Sequence, residues 1–222
     1  MTLRKLYGIL KHTMDFFSGD LFEMGKIFVV MGKTSCGKDT IFKRLMGQVS
    51  VPLKTVVIYT TRPMRPGEKN GVEYFFVTEE ELQSLREQDK VIEERCYHTV
   101  HGPWFYFTVN DGQIDLAQQD YLMISTLAGY EKIRSYYKEE NVIPIYIEAD
   151  AKERLTRYIQ RESKQKNPNY CEVCRRFLAD ESDFSEEELT RLGITKRYFN
   201  QVLEVCTGEI KKDMEALLER GQ

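Results

Sequence analysis

The chain has 222 residues, enough for one compact domain with a sizeable core. Hydrophobic residues make up 41% and charged residues 30%, and the formal net charge is −3, so no global field draws the protein to nucleic acid or a membrane surface; a polyanionic ligand must be held by local basic residues. No apolar run approaches the ~20 residues of a spanning helix, no signal peptide is expected, and the five cysteines, odd in number and irregularly spaced, argue against a disulfide framework and fit a reducing cytoplasm.

Residues 1–24 stand apart as an N-terminal extension. Leu3, Leu6, Leu10, Met14 and Phe17 recur at helical spacing near Arg4, Lys5 and Lys11, which fits a helix packed on the domain or a surface-binding one. From residue 25 to 222, strands and helices alternate. Lys26–Met31 is a buried strand ended by Gly32, Thr40–Gly47 a helix, and Leu53–Tyr59 a second strand. Arg62–Gly71, with Pro63, Pro66, Gly67 and Gly71, is a loop. Val72–Val77 is a strand, and Thr78 with Glu81 forms a capping box for a helix through Arg86. Val91–Glu94 and Trp104–Val109 are short strands, with His98 and His101 assigned to the loop between them. Tyr121–Ser125 and Val142–Ile147 are core strands around a helix at Tyr130–Tyr137. Ala151–Glu162 and Tyr170–Asp183 are helices flanking a polar stretch, Ser185 with Glu188 caps another, and Asp213–Arg220 closes the chain as a helix. The alternation predicts a three-layer α/β fold with a mainly parallel sheet, interrupted at 72–109 by an inserted antiparallel unit.

Gly32, Lys33, Thr34, Ser35, Cys36, Gly37 and Lys38 read G-x-x-x-x-G-K between a buried strand and a helix, the context that a phosphate-binding loop requires. Glycines let backbone N–H groups converge on a phosphate, and the helix N-terminus adds partial positive charge. Lys38 is placed to reach the β and γ phosphates of ATP. The next residue is usually Ser or Thr; here it is Asp39, followed by Thr40, and either can serve Mg²⁺. Downstream, Arg62 and Arg65 lie three residues apart in a Pro/Gly loop, as suits a doubly charged phosphate, and Tyr74 can add a hydroxyl donor.

Together the two motifs resemble the guanylate kinase family, which carries a P-loop and then T-T-R-x-x-R-x-G-E-x-x-G-x-x-Y at about this distance; here that motif runs from Thr60 to Tyr74. The resemblance covers roughly residues 25–184. It implies a P-loop kinase fold with a nucleoside-monophosphate-binding insertion at about 61–110 and a helical lid at about 152–184. It implies transfer from ATP to GMP, and to dGMP, with Mg²⁺. Arg62, Arg65 and Tyr74 would hold the GMP phosphate. Glu93 matches the guanine-binding glutamate, whose carboxylate accepts the N1–H and the exocyclic amine. Tyr106 would contact the phosphate and Thr108 the guanine, on an alignment with several extra residues around Tyr97–Trp104. Arg161 and Arg176 match lid arginines that close on the transferred group, with Arg154, Arg157 and Arg175 as competitors. The resemblance further implies a cytoplasmic enzyme acting as a monomer or homodimer.

The match also has departures. Asp39 replaces the P-loop hydroxyl, and Ile58 stands where the family often has a serine near the GMP phosphate. Ile124 and Thr126 stand where it usually has two aspartates, and Asp39 would restore one lost carboxylate from the loop side. The lid is longer and contains Lys164 and Lys166. Cys171 and Cys174 form a lone C-x-x-C within a predicted helix, without a second pair to complete a zinc site. Two alternatives follow: a kinase for another phosphate acceptor such as ribose 1,5-bisphosphate, or a non-catalytic interaction module of the same fold.

Overall fold

The computed structural model describes residues 24–50, 52–99 and 102–219. Its elements in chain order are β1 (Ile27–Met31), α1 (Lys38–Gln48), β2 (Leu53–Thr55), β3 (Tyr59–Thr60), β4 (Phe75–Phe76), α2 (Glu79–Glu87), β5 (Val91–Thr99), β6 (Gly102–Val109) and β7 (Asp120–Ile124). Then follow α3 (Leu127–Tyr137), β8 (Val142–Glu148), α4 (Ala151–Glu162), α5 (Tyr170–Asp183), α6 (Glu186–Arg191), β9 (Arg197–Phe199) and α7 (Leu203–Leu218). The predicted extension at residues 1–24 lies, apart from Met24, outside the described residues, as does His101.

A five-stranded sheet has the order β2-β7-β1-β8-β9, and every pairing in it is parallel. Its central strand explains the unbroken apolar run in the sequence. All of β1 is buried, and alternate side chains leave on opposite faces. Ile27, Val29 and Met31 join Leu127, Tyr130 and Ile133 of α3 and Leu189 of α6 in one core. Phe28 and Val30 join Ile41 and Leu45 of α1 and Ile210 and Met214 of α7 in the other. The outcome is helix, sheet, helix: three layers around the strand that leads into the phosphate loop.

A second sheet, of order β4-β3-β6-β5, is mixed: β3 pairs parallel with β4 and antiparallel with β6. Here the sequence expectations require correction. The predicted strand Leu53–Tyr59 is two strands in two different sheets, because the chain leaves β7 after Thr55 and joins β6 at Tyr59. Val72–Val77 yields only Phe75–Phe76 as strand; Gly71, at φ 79°, turns the backbone before it. The expected strands Val91–Glu94 and Trp104–Val109 run longer, Val91–Thr99 and Gly102–Val109, so Tyr97 stands opposite Trp104, and His98, expected in the loop, lies in β5 opposite Pro103. The last helix begins at Leu203 rather than Asp213, and β9 went unpredicted.

Period-two alternation gives this second sheet two unlike faces. Phe107 and Val109 pack with Leu82 of α2, with Tyr59 and Phe105 against them, as an apolar back. On the opposite parity stand Thr60, Phe76, Arg95, Tyr106, Glu93 and Thr108, paired as Thr60 with Phe76 and Tyr106, Arg95 with Tyr106, and Glu93 with Thr108. The apolar side anchors the sheet, and the other side carries its polar and charged residues.

Candidate active site

The loop from Gly32 to Gly37 leaves the carboxyl end of β1 and enters α1. Gly37 has φ 98°, and a Cβ there would lie 2.3 Å from Nδ2 of Asn200, so the position admits no side chain. Asn200 is buried and donates from that nitrogen to the carbonyl of Cys36 at 2.8 Å, stapling the loop to the segment after β9. Ser35 also takes a positive φ, 63°, as a tight phosphate cradle requires. Cys36, expected as part of the ATP site, turns its side chain into the core; burial pushes its thiol pKa up, and only its backbone is left for a ligand. Asp39 and Thr40 stand exposed on the first turn of α1. A carboxylate and a hydroxyl there suit Mg²⁺, which takes one or two carboxylates and draws its remaining ligands from phosphate and water. Among the described residues no group of three or more His, Cys, Asp or Glu forms a self-sufficient metal site.

Helix α5 reaches this loop from the side. Thr34 donates its backbone N–H to Asp180 Oδ2 at 2.5 Å, and Lys33 Nζ donates to Glu181 Oε2 at 2.5 Å. Arg154 of α4 pairs with the other oxygen of Glu181 and lies over the ring of Phe177, 4.7 Å from its centroid. Burial raises the Glu181 pKa, but Lys33 and Arg154 outweigh it and hold the carboxyl below its usual range. Arg154 is itself buried, and its Nη1 has no hydrogen-bond partner among the described residues. Arg161 lies over Tyr158, 4.7 Å from the ring centroid, and Arg176 pairs with Glu172 at 2.6 Å with the Tyr158 hydroxyl beside it. The two expected lid arginines thus share one tyrosine, while the arginine tied to the phosphate loop is Arg154, one of the competitors.

On the polar face of the second sheet, Arg62 is buried and clamped. Its Nη1 and Nη2 donate to Glu68 Oε2 and Oε1 at 3.0 and 2.8 Å, and Nη1 also donates to the Pro63 carbonyl at 2.8 Å. That hydrogen-bonded carboxylate is the chief reason the Arg62 pKa lies above its ordinary value. The guanidinium lies 5.3 Å from the centroid of Tyr74 and 5.4 Å from that of Phe76. Tyr74 meets Tyr106 edge-on at 5.6 Å, and burial raises its pKa. Arg65 is exposed; its backbone N–H donates to Glu68 at 2.7 Å, so Glu68 organises both arginines.

About two strand positions further along, Glu93 is buried. Its Oε1 accepts from the Thr108 hydroxyl at 2.8 Å and from Arg95 Nη2 at 3.0 Å, and its Oε2 accepts from Arg95 Nε at 3.0 Å. Ser125, just after β7, places a buried hydroxyl, without a hydrogen-bond partner among the described residues, next to Gly129. A Cβ on Gly129 would lie 2.3 Å from Ser125 Oγ and 3.3 Å from Glu93 Oε2, so these two groups converge on the bare backbone of α3. Ser125 N donates to Val30 O at 3.1 Å, beside the strand that leads into the phosphate loop. The carboxylate site and the phosphate loop therefore both lie at the carboxyl ends of the parallel strands, where open α/β sheets bind ligands.

A model of the guanylate kinase family matches residues 24–192. The chain belongs to the guanylate kinase family. It is 26% identical over 182 residues to a guanylate kinase of Mycoplasma genitalium, covering 81% of this chain and 72% of that one. It is 26% identical over 196 residues to one of Mesomycoplasma hyopneumoniae, covering 86% and 94%. Against one of Legionella pneumophila it is 34% identical over 137 residues, 59% of this chain and 62% of that one. The chain thus spans less than two thirds of the Legionella relative, while it spans most of the two mycoplasma ones. The crystal structure of guanylate kinase from Anaplasma phagocytophilum has the same fold, with a TM-score of 0.60 at 22% identity over 87% of this chain and 86% of that one.

The structure shows the surroundings of two residues that stand where the resemblance implies aspartates. Ile124 packs against the second core cluster, and the hydroxyl of Thr126 accepts from Gly129 N at 3.2 Å as the cap of α3. Neither supplies a carboxylate, which leaves Asp39 as the acid at the head of α1. Cys171 and Cys174 are both free and exposed on α5. Of the residues not foreseen, Arg95 had a signal in its spacing, two positions from Glu93 on one strand. Asp180, Glu181, Ser125 and Asn200 had none, because their partners lie far away in sequence.

Proposed function

We propose that this chain transfers the γ-phosphoryl group of ATP to GMP, and to dGMP, yielding ADP and GDP or dGDP. The observation that carries this reading is the pairing, on one sheet face, of a buried carboxylate site at Glu93 with a clamped arginine at Arg62. A purine nucleotide with donors at one end and a dianion at the other matches that order of charges. Family membership and the phosphate loop support the same assignment.

In the mechanism, Arg62, Arg65, Tyr74 and Tyr106 hold the GMP phosphate, and Glu93 with Thr108 holds the guanine. The attacking atom is a phosphate oxygen, already anionic, so no strong general base is required. The loop N–H groups and Lys38 fix the triphosphate and offset the charge that moves during transfer. Arginines from the lid, at about 152–184, complete the cage: Arg161 and Arg176 by family position, Arg154 by its tie to the loop. Lid closure excludes water, which otherwise consumes ATP. Asp39 or Thr40 would hold Mg²⁺, which when bound neutralises β and γ oxygens. We place the enzyme in the cytoplasm, as a monomer or homodimer; among the described residues no helix is long and apolar enough to cross a membrane.

A coupled ADP-release assay with ATP and GMP, dGMP, AMP, UMP and ribose 1,5-bisphosphate tests the reading. GMP and dGMP should be used and AMP rejected, with Lys38→Ala inactive and Glu93→Gln impaired for GMP. Turnover of ribose 1,5-bisphosphate alone, or turnover unaffected by Lys38→Ala, would overturn it.

A further inference from the structure

We infer that Arg95 is a specificity-determining residue that reads the acceptor edge, O6 and N7, of the guanine ring. The inference rests on the GMP reading above and extends it to the opposite half of the base edge.

Lone pairs provide the starting point. An ionised carboxylate offers about four acceptor positions. On Glu93, three are taken: one by Thr108, one by Arg95 Nη2 and one by Arg95 Nε. Guanine presents two adjacent donors, N1–H and the exocyclic amine, so both cannot dock while Arg95 keeps its fork on Glu93. Thr108 is compatible with the base, because it occupies a single position on Oε1. Arg95 is therefore the group that must turn away when the base docks on Glu93.

Where its fork goes follows from position. Arg95 lies two residues beyond Glu93 on β5, roughly 6–7 Å along the same face. It stands opposite Tyr106, and its charge is felt by Tyr74, so it lies between the carboxylate and the arginine–tyrosine cluster. A guanine with its N1 edge on Glu93 and its phosphate on that cluster turns O6 and then N7 toward this stretch. Both are acceptors, and a guanidinium fork is the donor that matches them as a pair. Ser125 has one hydroxyl proton and can satisfy at most one of the two. Adenine presents N7 beside an amine, so the same fork would meet a donor there. Glu93 and Arg95 would then reject adenine at both halves of the edge, exchanging their mutual ion pair for the two halves of guanine.

The test is a cycle of side chain against ring atom. Wild type, Arg95→Ala and Arg95→Lys are assayed with ATP and GMP, 7-deaza-GMP (no N7 acceptor) or 6-thio-GMP (a poor acceptor at position 6), with KM and kcat separated. Both analogues retain N1–H and the amine, so the Glu93 contact is unchanged. Wild type should show KM raised about tenfold for each analogue. Arg95→Ala should raise KM for GMP about tenfold to a hundredfold with little change in kcat, and lose the difference between GMP and the analogues. Arg95→Lys keeps a cation beside the buried Glu93, so it should fold normally, and because an ammonium can also donate to O6 and N7 it should keep part of the discrimination that Arg95→Ala loses. Equal losses for all three nucleotides would assign Arg95 to the phosphate or to scaffolding and overturn the inference. So would a lower KM for GMP in Arg95→Ala, which would make Arg95 only a competitor for Glu93. If wild type uses none of the three, the GMP reading itself fails; if it uses them all alike, only the role of Arg95 does.

Discussion

Replacing Asp180 by alanine should make the enzyme bind ATP more tightly. Thr34 N–H points at Asp180 Oδ2 at 2.5 Å, and the neighbouring Lys33 ammonium points at Glu181 at 2.5 Å. Both donors belong to the loop proposed to cradle the triphosphate, so the α5 carboxylates hold groups that the proposed ATP site would use. A hydrogen bond with one charged partner is worth about 1.5–3 kcal/mol. Asp180 is only half-buried, and solvent screening reduces that to about 1 kcal/mol. Losing this competition should lower KM for ATP about fivefold. One further effect acts in the same direction: a carboxylate beside the proposed triphosphate site disappears. Steady-state kinetics at saturating GMP, with KM for ATP followed from low to high salt, measure this, and a thermal melt confirms the fold. The gain should shrink as salt rises. Glu181→Gln should have a smaller effect, since that side chain is 41% exposed. An unchanged KM would mean the contact is incidental. A higher KM would mean that Asp180 belongs to the ATP site, and the competition argument would be wrong.

Arg62→Lys should raise KM for GMP about tenfold or more, because an ammonium cannot both fork onto Glu68 and lie flat against Tyr74 and Phe76; equal KM values would remove Arg62 from the acceptor site. Gly129→Ala should raise KM for GMP severalfold and leave KM for ATP unchanged, since its Cβ would press on Ser125 Oγ and Glu93 Oε2; a loss confined to ATP would contradict the assignment of the carboxylate site. Glu172 titrates at about 2, held down chiefly by its hydrogen bond from Arg175. A depressed carboxylate stabilises above its unfolded pKa and loses that contribution as pH falls toward 2. Wild type should therefore melt a few degrees at most above Glu172→Gln near pH 6, and the two melting curves should converge between pH 5 and 2; a constant gap across that range would show that the arginine pairs do not stabilise the native helix.

The phosphate loop was legible in the sequence because everything that makes it is local: an apolar strand, glycines where backbone must approach closely, a lysine, and a helix start within a few residues. The motif from Thr60 to Tyr74 was legible for the same reason, and the structure shows Glu68 within it clamping Arg62. The capping box of Thr78 and Glu81 also forms as its spacing predicts. The splitting of Leu53–Tyr59 between two sheets was not legible, because an apolar run with β-branched residues has the same pattern in one strand as in two. The hairpin reaching Tyr97 and Trp104 was missed because its length depends on cross-strand partners, which no window along the chain contains. The sequence by itself determined the parallel three-layer scaffold, the phosphate loop and the family. Only the tertiary structure decided which arginine meets the loop, that Asp180 and Glu181 occupy its donors, and that Arg95 forks onto Glu93. Those are distances between groups brought together by sheet register and helix docking, and charged side chains of one type are indistinguishable until burial and partners separate them.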